Sequence, residues 1–150
     1  MTSKSDFTAQ EWSQIVEGPP TAGMIVITAQ RGGTLRETIS MAKEYTEARR
    51  QHGLSELLDD VVASKPQFDH TRYGSPEELK DHGLAHLRDA VALLQSKASP
   101  GELDEYRHFI VELSRRVAEA HRNGGSEEAI SPEERGATNA IAEAVGAATS

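Results

Sequence analysis

Glu78, His82, His86 and Asp89 come closest, by residue type and spacing, to a reactive set in this chain. Their separations of four, four and three bring all of them onto one face of an α-helix, which advances about 100° per residue. A His-x-x-x-His pair can offer two imidazoles to one divalent cation, and flanking carboxylates can complete the shell. In the run Asp81-His82-Gly83-Leu84-Ala85-His86, however, glycine follows the first histidine. A zinc-protease helix needs a glutamate there as general base, so that chemistry is excluded. The stripe also lies nearly opposite the apolar positions Leu84, Leu87, Val91 and Leu94. Polar stripes behind a core seam are ordinarily solvated surface, and no metal site is assigned to this one.

The remaining candidates are weaker. His108 and His121 fall on the next helical stretch, and His52 and His70 fall in or near loops. Arg31-Gly32-Gly33-Thr34 leads into a helix whose N-terminus could hold an anion, but two glycines read better as an interhelical turn. The acidic turn that starts at Asn123 puts Glu134 at the twelfth position of a calcium loop. Gly125, Glu127 and Glu128 then occupy the third, fifth and sixth, where an EF-hand needs oxygen ligands and a glycine. That mismatch excludes an EF-hand and leaves only a looser carboxylate site open. Neither a nucleophile nor a phosphate-cradling loop is recognisable. No catalytic, cofactor-binding or metal residue is assigned, and no cofactor is expected.

Composition narrows the classes further. The chain has 150 residues with 24 acidic against 16 basic, a formal charge of −8. Such a balance repels nucleic acid unless the cations share one face, and Arg49-Arg50-Gln51-His52 and Arg115-Arg116 read as ordinary helix surface. The absence of cysteine removes disulfides and thiolate chemistry. The longest apolar run, Met24 to Ile27, is far too short for a membrane span, and no signal peptide follows Lys4. The expectation is a soluble, cytoplasmic protein without nucleic-acid binding or membrane insertion.

The elements that must carry these residues are announced by their helix starts. Thr8-Ala9-Gln10-Glu11 is a capping box, with Phe7 and Trp12 placed as a hydrophobic staple. It predicts a helix over 9–17, ended by Gly18-Pro19-Pro20. Ser75-Pro76-Glu77-Glu78, Ser99-Pro100-Gly101-Glu102 and Ser131-Pro132-Glu133-Glu134 repeat the device with proline in the first helical position; Thr34-Leu35-Arg36-Glu37 does so without it. Ser-Pro pairs also attract kinases, but capping accounts for all three together.

Apolar spacing extends the helices. Leu35, Ile39, Ala42, Tyr45 and Ala48 form one face up to Gly53, and Leu57, Leu58, Val61 and Val62 mark a helix over 55–64. Leu84, Leu87, Val91 and Leu94 mark a longer helix, as do Leu103, Tyr106, Ile110, Leu113, Val117 and Ala120. Together these two read as a helical hairpin joined at Ala98-Ser99-Pro100. Ala137, Ile141, Ala144 and Val145 mark a final helix. The stretch 21–30 holds Met24-Ile25-Val26-Ile27, which lacks a partner strand and is read as a buried helix among the others. Residues 66–74 read as a loop. The fold class is all-α: a single compact bundle of six or seven helices over 1–150, with 1–6 a flexible N-terminus.

Phe7-Thr8-Ala9-Gln10-Glu11-Trp12 and Lys97-Ala98-Ser99-Pro100…Tyr106 resemble a group of uncharacterised bacterial helical proteins. The stretch from Ile130-Ser131-Pro132-Glu133-Glu134-Arg135 to Ile141-Ala142-Glu143-Ala144-Val145-Gly146 resembles the closing helix of tellurite-resistance TerB-like domains. That resemblance covers about the last quarter of the chain and implies a metal-linked stress role. The Asp of the family's turn is Asn123 here, which departs from the pattern. The leading expectation is a non-enzymatic accessory protein that presents a helical surface to a protein partner, with homo-oligomerisation left open. The alternative is a TerB-like protein binding a divalent cation through Glu78, His82, His86 and Asp89 or through the 123–134 turn.

Overall fold

A computed structural model of the chain describes residues 6–29, 43, 60–61, 76–122 and 132–146. Within them the fold is all-α, built on α1 (Ala9–Ala29), α2 (Pro76–Lys97), α3 (Pro100–Arg122) and α4 (Pro132–Val145). Lys43, Asp60 and Val61 are also helical, and Val61 is buried in the core. The predicted helix at 34–53 and the loop at 66–74 otherwise lie outside the described residues.

Helix starts follow the capping grammar. The Thr8 N–H donates to Glu11 Oε1 at 2.9 Å, and the Glu11 N–H donates to Thr8 Oγ1 at 3.1 Å. Each bond satisfies an amide that the first turn leaves without a helical acceptor. Phe7 and Trp12 close the staple, with ring centroids 5.9 Å apart. At the start of α3, Ser99 N–H donates to Glu102 Oε1 at 3.0 Å and Glu102 N–H donates to Ser99 Oγ at 3.3 Å. Helices α2 and α4 begin at Pro76 and Pro132, as the Ser-Pro signals require.

The first helix corrects the sequence expectation. Instead of ending at Gly18-Pro19-Pro20, α1 runs through the pair to Ala29 and takes up Met24-Ile25-Val26-Ile27 as its second half. A proline inside a helix removes an i→i−4 bond and costs about 3 kcal/mol or more in isolation. Here every residue from Gly18 to Gly23 is buried, and α1 packs against α2, α3 and α4. Burial of this stretch and a donor from α3 to the Ile15 carbonyl offset the interruption.

Directions follow from the contacts. Lys97 at the end of α2 reaches Asp6 and Glu11, while Gly83, earlier in α2, meets Thr21 and Ile25, so α1 and α2 run oppositely. Tyr106, near the start of α3, meets Ile15 and Gly18, and Arg107 meets the end of α4. Chain direction therefore alternates through the four helices. The connection at Ala98-Ser99 is the short turn expected of a hairpin. The apolar seams of α2 and α3 are nevertheless spent more on α1 than on each other. Leu87, Leu94, Tyr106, Ile110, Leu113, Val117 and Ile141 are buried, each worth about 2 kcal/mol relative to exposure.

Candidate functional site

The densest set of polar groups acting between helices lies along the first half of α1. Pro19 and Pro20 carry no N–H, so the carbonyls of Ile15 and Val16 lose their usual helical donors. The Ile15 carbonyl is buried and instead accepts the Tyr106 hydroxyl at 2.7 Å. Tyr106 is fully buried, and Gly18 makes room for its phenol: a Cβ there would lie 2.2 Å from the hydroxyl oxygen. Glycine, prolines and tyrosine form one device. The glycine admits the ring, the prolines free a carbonyl, and the hydroxyl supplies the donor that the backbone lacks.

One residue earlier, the Gln14 carbonyl lies 2.8 Å from His86 Nε2. A carbonyl only accepts, so Nε2 carries the proton. Further towards the amino end, Lys97 Nζ donates to the Asp6 carbonyl at 3.1 Å and pairs with Glu11 Oε1 at 3.0 Å. It also stands 5.4 Å from the centre of the Phe7 ring. The Thr8 amide, and after it Lys97, hold the Glu11 carboxyl below its ordinary value of 4.5.

The same end of the bundle gathers helix starts and ends with matching charges. Glu11 and Glu102 lie in the first turns of α1 and α3, and Lys97 lies in the last turn of α2. Arg107 Nε donates to the Val145 carbonyl at 2.6 Å and closes α4, where Gly146 takes a left-handed φ of 76°. Each charge opposes the partial charge of the helix end it meets.

The histidine stripe does not stay together. Glu78, His82 and Asp89 are exposed on α2, whereas His86 is half-buried against α1. The stripe was expected to be solvated throughout, and His86 is the correction. A helix packed against three neighbours has a wider buried arc than its strongest apolar seam, and residue 86 falls on its edge. Among the described residues, no three His, Asp or Glu side chains are placed to hold a metal ion. His108 is exposed on α3. Arg115 and Arg116 are solvated, as expected, and both pair with Glu112, at 3.8 and 3.4 Å. His52, His70, the 31–34 turn, the 49–52 basic cluster and 123–131 lie outside the described residues.

Sequence reasoning passed over Tyr106 as a donor. A signal was present: Trp12, Ile15, Pro19, Ala22 and Val26 keep the three–four alternation of a buried helical face across the proline pair. A helix continued through prolines must find donors elsewhere, and a core tyrosine is a natural source.

The described residues thus form an all-α structure in which Tyr106, His86 and Arg107 bond backbone of another helix and Lys97 bonds both backbone and the Glu11 carboxylate. No described helix is long and apolar enough to cross a membrane. Comparison with protein-family models, curated proteins and solved structures finds no match.

Proposed function

We propose that this chain is a non-enzymatic interaction protein, a single bundle of six or seven helices that presents a helical surface to a protein partner. One observation carries the reading: among the described residues, five buried or half-buried side chains with chemistry to offer are committed to holding the fold. Tyr106, His86 and Arg107 each bond a main-chain carbonyl of another helix. Ser114 bonds back to the Ile110 carbonyl in its own helix, and Glu102 serves the cap of α3. Catalysis needs such groups aimed at a shared space where a substrate can sit. Here they are aimed at backbone.

The test is capture of the tagged full chain under gentle crosslinking in the cells that make it, followed by reconstitution of the purified pair. A stoichiometric complex that re-forms from pure components supports the proposal. No such partner, together with binding heat on titration with zinc, calcium or manganese, overturns it in favour of the TerB-like divalent-cation reading.

A further inference from the structure

We propose that residues 6–18 form a strap that opens as one unit about Pro19–Pro20. Two observations combine to carry this. The prolines delete the amide donors of two successive turn-to-turn bonds, so the helical ladder between residues 15–16 and 19–20 is interrupted. The segment before the break is fastened to the bundle through its own carbonyl oxygens. Lys97 holds Asp6, His86 holds Gln14 and Tyr106 holds Ile15. After the break, α1 is held by close packing, with Gly83 set against Thr21 and Ile25. An interrupted ladder with separate fastenings on either side lets the first part open without the second, and the bonds at its amino end, Thr8–Glu11 and those from Lys97, are solvent-exposed.

Opening exposes Phe7, Trp12 and Ile15, and uncovers Leu87 and Tyr106 around Gly18. The closed face of α2 instead presents Lys80, Asp81, His82, Arg88 and Asp89 to solvent. Opening would thus replace a charged face by an apolar one, and the motion rests on the packing alone.

Trp12 is the only tryptophan, so its fluorescence reports the strap directly. The full chain is titrated with urea while Trp12 emission and helical circular dichroism are followed together. The expected result is a Trp12 transition at lower urea than the loss of helix, with amides of 9–18 exchanging at least about tenfold faster than those of α3. Y106F should lower the Trp12 midpoint and leave the main circular-dichroism midpoint in place. Replacing both prolines by alanine should bring the two transitions together. Coincident transitions in the natural chain, or a Y106F variant that shifts both signals equally, would overturn the strap. If Y106F does not fold, K97A severs a solvent-facing fastening and is read by the same criteria. Coincident transitions leave the partner reading standing, and failure to capture a partner leaves the two transitions as they are.

Discussion

The two halves of α1 are held in different ways, although they belong to one helix and both contribute side chains to the core. Before the prolines, neighbouring helices reach the backbone: an ammonium, an imidazole and a phenol each donate to a carbonyl between Asp6 and Ile15. After them α1 and α2 also meet in a close steric contact. A Cβ on Gly83 would stand 2.8 Å from Ile25 Cδ1 and 3.0 Å from Thr21 Cγ2. The difference shows what a helix interrupted by proline requires. Where Pro19 removes an amide, another helix supplies a directional bond to the Ile15 carbonyl; where α1 passes Gly83, the fit depends on shape.

The strongest way to break the first half is G18A. Its methyl would collide with the Tyr106 hydroxyl at 2.2 Å, and the phenol cannot yield without leaving the buried Ile15 carbonyl unbonded. Overpacking combined with the lost bond should cost about 3 kcal/mol in urea denaturation. Y106F comes next and should cost about 2 kcal/mol, read from the Trp12 transition, because an acceptor is buried without a donor. Combined with P19A, which restores an amide to residue 19, its cost should fall by about half. An undiminished cost in the double variant would show that the hydroxyl does not stand in for the proline's missing donor.

The second half should be more tolerant. The nearest obstacle to a Gly83 methyl is the end of a flexible isoleucine, and alanine favours the helix over glycine by about 1 kcal/mol. G83A should therefore cost only about 1 kcal/mol; a cost equal to that of G18A would erase the contrast between the halves.

The smallest effect belongs to Glu11. Its carboxyl is held below 4.5 in the folded chain, so it contributes stability above that pH and loses it as pH falls through the lowered value. E11Q should lose that increment at neutral pH, and the two stability profiles should converge as pH falls below about 4.5. The difference between the two profiles is the quantity to measure. If it is flat with pH, the cap charge plays no part.

Local signals were legible wherever the physics is local. Reciprocal bonds at Thr8–Glu11 and Ser99–Glu102 involve residues three apart, so their types and order suffice to foresee them. The apolar faces of α2, α3 and α4 were legible for the same reason, since a helix's periodicity is written along its own length. His86 was harder to place. Its exposure depends on how wide an arc of α2 is covered, and that is set by neighbours.

Gly18-Pro19-Pro20 marks the boundary between the two kinds of information. Considered alone, the tripeptide ends a helix, because an isolated segment has no substitute for two lost amide bonds. In the folded chain a substitute for the first of them comes from Tyr106, which bonds the Ile15 carbonyl from 91 residues away along the chain. The sequence by itself determined where helices start, which faces they bury and that the described part is all-α. Only the tertiary structure decided that α1 continues, because the donor replacing Pro19's missing amide exists only once α3 is packed against it.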